Sequence, residues 1–177
     1  DAIFGRDLRQ GLPAAITTWG QLGLTGEWSA RPITVYVPFR ITPNAMSVQI
    51  AVLKGGAWNP AVRESSVAEV AAAVARDPGA IAFGGFEDGP GLKTVAIAAQ
   101  PGGEFIAGSA AEVARGRYPL TRYLYIRINR ASGQPLPPQV REFLRFILSR
   151  EGQEFIPTSA YFPLRADEVA EALAKLD

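Results

Sequence analysis

The fold is decided by the stretch ITVYVPFRITPNAMSVQIAVLKGG, residues 33–56, in which a strand pattern is followed directly by a helix pattern. Ile33 to Val37 alternates in the way that is typical of a short β-strand. Pro43 suits the first position of a helix, and the pair Gly55-Gly56 is a typical stop signal. One face of this helix is expected to carry three apolar side chains: Met46, Ile50 and Leu53.

The alternation of strand and helix patterns continues along the chain. Ser66 and Glu69 form a capping box that predicts a helix ending at Asp77-Pro78-Gly79. Apolar spacing predicts the strongest helix from Pro137 to Arg150, with Ser149 to Gln153 as its glycine-containing end. Further predicted elements are strands at Ala80–Phe83, Lys93–Ala98 and Tyr123–Ile128, and helices at Ser109–Gly116 and Ala166–Leu176. This order predicts an α/β fold, a mixed sheet flanked by helices.

The composition excludes several classes of function. The chain has 177 residues, a formal net charge of +1, and neither His nor Cys. Catalytic sites built on His or Cys, HExxH zinc sites and thiolate metal sites are therefore excluded. The near-zero net charge gives no long-range attraction to nucleic acid. We predict no cofactor, no nucleic-acid partner and no enzymatic activity, since only the presence of carboxylates would favour an enzyme.

The segment Arg40-Ile41-Thr42-Pro43-Asn44 joins the first strand to the first helix. Ligands of α/β sheets bind at such strand-to-helix connections, and a helix N-terminus favours an anion. Arg40 adds a planar set of donors suited to phosphate or carboxylate. The spacing also fits a plain helix cap with an exposed arginine, so both interpretations remain open at this point.

Several stretches taken together resemble the phosphate-binding protein of bacterial ABC phosphate importers, a type II periplasmic binding protein. They occur in the family's order and span nearly the whole chain. The stretches are AIFG (2–5), TWGQLGLTGEW (18–28), DPGAIAFGG (77–85), GRYPLTRYLYIRIN (116–129), EFLRFILSREGQ (142–153) and SAYFPL (159–164).

The resemblance implies two α/β lobes that close on a phosphate. It assigns residues from about 1 to 105 to the second lobe of such a protein. Residues from about 106 to 177 would then be a C-terminal segment that packs partly on the first lobe. The first lobe itself would precede Asp1, which agrees with a start, Asp1 to Leu8, that looks like the middle of an element.

The resemblance also implies a binding loop. In the family this loop is Arg, any residue, Asp or Ser, any residue, then Ser-Gly-Thr at a helix N-terminus. The matching positions here are Arg40, Thr42, Asn44, Ala45 and Met46, and these five are the predicted phosphate-binding residues. Ala45 stands where the family has glycine, and Met46 replaces a hydroxyl donor. Pro43, between Thr42 and Asn44, has no N–H to offer.

The resemblance therefore implies the substrate-binding component of a phosphate-type ABC importer. Its partners would be phosphate or a similar oxyanion and a membrane ABC permease, with a homodimer as a further option. Its location would be periplasmic or extracellular, with or without a membrane anchor. The altered loop leaves an alternative: a binding-protein-like domain that has lost its ligand and acts as an interaction or sensory module.

Overall fold

A computed structural model describes residues 1–131, 133–159 and 161–176. Ala160, within the matching stretch Ser159 to Leu164, lies outside the described residues. Contacts divide the chain into a first unit, Asp1–Lys93, and a second unit, Thr94–Asp177. Each unit has its own core and is described by itself. The assignment of the chain to a second lobe and a C-terminal segment stays a prediction.

The first unit contains a three-stranded sheet in the order β2-β1-β3. The strands are β1 (Thr34–Pro38), β2 (Arg63–Ser65) and β3 (Ala80–Ile81), and both pairings are parallel. The connections between them contain helix α1 (Pro43–Ala51) and helix α2 (Val67–Arg76), and both helices contact β1. The predicted α/β class with a sheet flanked by helices is therefore confirmed, but the described sheet is parallel and not mixed as predicted, because helical connections join its strands.

The buried face of α1 differs from the prediction. Ala45 is fully buried and Val48 nearly so, whereas Met46 is 52% and Ile50 69% exposed. Apolar side chains lie on more than one face of this helix, so their spacing does not select a single face. Leu53, which follows the helix, is buried as predicted. The core of the first unit consists of Val35, Val37, Ala45, Val48, Leu53 and Trp58.

The second unit is helical in its described part. Its helices are α3 (Ala110–Ala114), α4 (Pro138–Leu148), α5 (Arg150–Phe155) and α6 (Ala166–Ala174). Three buried leucines form a small core, one before α4, one within α4 and one after α6: Leu136, Leu144 and Leu176. In the part of the chain that the structure describes, no helix is long and apolar enough to cross a membrane.

The predicted end of α4 is wrong, because Ser149 starts a new helix instead of closing the old one. Its hydroxyl oxygen accepts a hydrogen bond from the main-chain N–H of Gly152 at 3.2 Å, which makes it the N-cap of α5. Gly152 is therefore no stop signal. A Cβ at this position would lie 2.2 Å from the carbonyl oxygen of Phe146, so glycine allows α5 to approach the end of α4.

Two predicted strands do not form. Lys93–Ala98 contributes only an antiparallel bridge between Ile97 and Ile106, and Tyr123–Ile128 is irregular in conformation. Every residue of Tyr123–Ile128 is exposed, and none of its main-chain groups bonds to a described residue. Alternating side chains favour a strand, but a strand also needs a neighbour for its main-chain groups, and no described segment supplies one.

Candidate functional site

Two helices begin at the same edge of the sheet in the first unit. In the parallel register of β1 and β2, Val37 lies opposite Glu64 and Pro38 opposite Ser65. Both strands therefore end together, and α1 and α2 follow them. Ligands of parallel sheets bind at this carboxyl edge, because loops and helix N-termini with free donors meet there.

The turn between β1 and α1 is built by local hydrogen bonds. The N–H of Phe39 donates to the carbonyl oxygen of Ser65 at 2.9 Å, and the N–H of Thr42 donates to that of Phe39 at 2.8 Å. Thr42 is the N-cap of α1, and its hydroxyl oxygen accepts from the N–H of Ala45 at 3.3 Å. Pro43 occupies the first turn as predicted. The threonine and proline therefore determine where α1 starts.

Arg40 lies in this turn and forms an ion pair with Glu64. Its main-chain N–H donates to Oε1 of Glu64 at 2.8 Å, and its Nε donates to Oε2 at 2.6 Å. The main-chain N–H of Arg40, and then its guanidinium, hold the pKa of Glu64 below its ordinary value. The side chains are 53% and 27% exposed, so the pair is open to solvent.

Few main-chain donors remain at the start of α1. Pro43 has none, Ala45 donates to the Thr42 hydroxyl, and Met46 donates to the Thr42 carbonyl oxygen at 3.0 Å. Among the described residues, the main-chain N–H of Asn44 has no partner, and neither has its half-buried side chain. The donors available to an anion are thus those of Asn44 and the terminal amino groups of Arg40.

The start of α2 carries a carboxylate that belongs to the chain itself. The Glu69 carboxylate accepts hydrogen bonds from the hydroxyl groups of Ser65 and Ser66, and from the Ser66 N–H at 3.2 Å. The hydroxyl of Ser65, followed by that of Ser66, lowers the pKa of Glu69. The predicted capping box is confirmed, and its carboxylate places a negative charge at the start of α2 that disfavours an external anion there.

The structure therefore brings the five predicted residues together at the start of α1, although they differ in exposure. Thr42 caps the helix, Asn44 is half-buried, Ala45 is buried and Met46 is largely exposed. Glu64 was not predicted. No local motif marks it, because it reaches Arg40 through the pairing of β1 and β2; its position just before the Ser66 capping box was the one available signal.

No group of three or more His, Cys, Asp or Glu residues in the described ranges could hold a metal ion. Two open cavities, of about 310 Å³ and 340 Å³, lie in the second unit. Their linings do not include any of the predicted binding residues. The start of α1 remains the candidate site.

Comparison with known proteins agrees with the motifs. No protein-family model matches the chain. Two curated relatives are the phosphate-binding protein PstS of two Pseudomonas aeruginosa strains, ATCC 15692 and UCBPP-PA14; each is 32% identical over 178 residues. The match covers 99% of this chain but 55% of each relative, so the chain spans about half the length of these proteins.

A solved structure supports the fold. The crystal structure of a possible phosphate binding protein from Planctomyces limnophilus DSM 3776 matches with a TM-score of 0.61 and 17% identity, covering 93% of this chain and 58% of that one. At this identity the match shows the fold alone. The chain thus resembles part of PstS over 99% of its length and shares the fold of part of this solved structure, as its sequence motifs predicted.

Proposed function

We propose that the protein is the substrate-binding component of a phosphate-type ABC importer and that it binds phosphate at the start of α1. One observation carries the proposal: Arg40 lies directly before the N-terminus of α1, and its terminal amino groups have no partner among the described residues. A guanidinium with two open donor groups beside a helix N-terminus suits an oxyanion in charge and geometry. Relatives named as phosphate-binding proteins indicate which oxyanion.

Each predicted residue has a role in this proposal. Arg40 neutralises the anion, and Asn44 donates from its main-chain N–H and its side-chain amide. Thr42 acts mainly by capping α1, since its hydroxyl already accepts from Ala45. Ala45 and Met46 contribute main-chain positions in the first turn and no side-chain donor. The positive end of the α1 dipole adds to the attraction.

The replaced donors set the expected affinity. Met46 lacks the hydroxyl of the family motif, and Ala45, in place of glycine, keeps an anion from approaching the main chain closely, so two hydrogen bonds to the anion are lost. Each lost hydrogen bond to a charged group weakens binding by about 1.5–3 kcal/mol. Two such losses correspond to roughly two to four decades in the dissociation constant. We therefore propose weaker phosphate binding than a site with the full motif would give.

The partners and location follow from the same function. The protein would deliver phosphate to a membrane ABC permease from the periplasm or the extracellular side, with or without an anchor, and would catalyse no reaction. Residues from about 1 to 105 would form the second lobe, and those from about 106 to 177 a C-terminal segment. A homodimer has no support from the relatives, and we do not propose one.

A second function is favoured by a specific observation. Within the described first turn of α1, Asn44 alone keeps a main-chain N–H free for an anion. A domain that has lost its ligand and acts as an interaction or sensory module would tolerate such a site. Asn44→Ser, Ala45→Gly and Met46→Thr together restore the family motif. If the restored protein still fails to bind phosphate when a first lobe is also supplied, this second function replaces the first.

The deciding experiment is a calorimetric titration with phosphate, with sulfate as the comparison anion. We expect saturable phosphate binding that Arg40→Ala abolishes. Arg76→Ala is the matched control, because Arg76 is an exposed arginine in the last turn of α2. Loss of binding in both variants would point to a general charge effect. Unchanged binding in Arg40→Ala would contradict the proposed site.

A further inference from the structure

Glu64 bridges two nitrogen atoms that belong to the same residue, Arg40. Its Oε1 accepts from the main-chain N–H at 2.8 Å, and its Oε2 accepts from Nε at 2.6 Å. These two contacts close a ring through the aliphatic stem of Arg40, so the torsion angles of that stem are restrained. Nη1 and Nη2 of Arg40 bond to no described residue.

The sheet explains why Glu64 is in this position. It lies on β2 opposite Val37 of β1, and the ladder continues one step further from Phe39 to Ser65. Arg40 follows the end of β1, where its main-chain N–H has no further strand partner. The Glu64 carboxylate satisfies that N–H and reaches the guanidinium with its other oxygen. The two strands therefore fix both residues before any ligand is present.

We propose that Glu64 is the positioning residue of the anion site: it holds Arg40 by Nε so that Nη1 and Nη2 remain available to an oxyanion. The proposal rests on the proposed function. An arginine that rotates freely must be ordered when it binds an anion, whereas a held arginine has already lost that freedom. Ordering a long side chain weakens binding by about two- to tenfold.

Two variants separate positioning from charge. Glu64→Gln removes the negative charge and keeps one oxygen that can accept from Arg40, whereas Glu64→Ala removes both. Both variants lose the repulsion between Glu64 and an incoming anion, so that effect cancels when the two are compared. We expect phosphate to bind Glu64→Ala about two- to tenfold more weakly than Glu64→Gln. Glu87→Gln is the control, because Glu87 is exposed and has no partner among the described residues.

A nuclear magnetic resonance measurement tests positioning without phosphate. In protein labelled with ¹⁵N-arginine, the Nε–H of Arg40 should exchange with water several-fold more slowly in the native protein than in Glu64→Ala. Arg40→Ala assigns the signal by its disappearance. Glu87→Gln should leave the signal unchanged.

The outcomes distinguish the two proposals. Weaker phosphate binding by Glu64→Ala than by Glu64→Gln, with faster Nε–H exchange, supports positioning. Equal or tighter binding by Glu64→Ala overturns it, and so does an exchange rate that the variant does not change. If the native protein binds no phosphate while Glu64→Ala accelerates exchange, the proposed function fails and the hold of Glu64 on Arg40 stands.

Discussion

The indole of Trp58 stacks on the ring of Phe83, with 5.8 Å between the ring centroids and an angle of 20° between their planes. Phe4 meets Phe83 edge-on at 5.6 Å, so the three rings form one cluster. Trp58 is 7% exposed and belongs to the core of the first unit. The cluster joins the N-terminal residues to the end of the sheet.

Replacement of Trp58 should therefore destabilise the first unit. Trp58→Ala is expected to lower the free energy of unfolding by about 3–5 kcal/mol, because a buried indole leaves a cavity and its ring contacts are lost. Urea unfolding followed by circular dichroism measures the change. An effect below about 1 kcal/mol would contradict the burial of Trp58 in the core.

The corrected face of α1 has a paired test. Val48→Ala should lower the free energy of unfolding by about 2 kcal/mol, since it exchanges a buried side chain for a smaller one. Ile50→Ala should change it by no more than about 0.5 kcal/mol, because Ile50 is 69% exposed. A larger loss of stability in Ile50→Ala than in Val48→Ala would contradict the observed face and support the face expected from the sequence.

The close contact of α4 and α5 is tested at Gly152. Gly152→Ala places a methyl group 2.2 Å from the Phe146 carbonyl oxygen, so the main chain must shift. We expect a loss of about 1–3 kcal/mol in the stability of the second unit. Gly108→Ala is the control, because the nearest neighbour of a Cβ there lies 3.6 Å away. Equal effects of the two variants would rule out a steric cause.

The capping box of α2 predicts a dependence of stability on pH. Hydrogen bonds from Ser65 and Ser66 lower the pKa of Glu69 in the folded protein, whereas the unfolded chain keeps the ordinary value of 4.5. The contribution of Glu69 is therefore fully present above that value and is lost as the pH falls through the lowered pKa. Glu69→Gln should reduce the loss of stability on acidification.

Denaturant unfolding of both proteins at neutral pH and at several values below 4.5 checks this expectation. Glu87→Gln, which removes an exposed carboxylate outside the capping box, should follow the native curve. Native and Glu69→Gln curves that remain parallel down to the acidic end would contradict the role of Glu69.

Local signals predicted much of the first unit. Thr42, Pro43 and the pair Ser66 and Glu69 mark helix starts within a few residues, and the structure confirms both. Contacts between distant segments could not be predicted in this way. Glu64 meets Arg40 because two strands pair in one register, and the sequence alone does not state that register.

Contacts between segments, which local signals do not encode, also explain the two wrong predictions at Tyr123–Ile128 and at Ser149. The alternation in Tyr123–Ile128 indicates a strand, but strand formation depends on a neighbouring segment and not on the pattern alone. At Ser149 the signals for a helix end and a helix start overlap, and the packing of Gly152 against Phe146 decides between them.

The exposed stretch Tyr123–Ile128 has a consequence for handling the protein in solution. Its unpaired main chain and alternating Leu124, Ile126 and Ile128 give copies of the chain a template for intermolecular β-pairing. Three arginines act as gatekeepers, because like charges on neighbouring copies repel one another: Arg122, Arg127 and Arg130. Added salt screens that repulsion, so concentrated samples should aggregate faster as ionic strength rises, and light scattering should show Arg127→Ser to be the faster-aggregating protein at low salt.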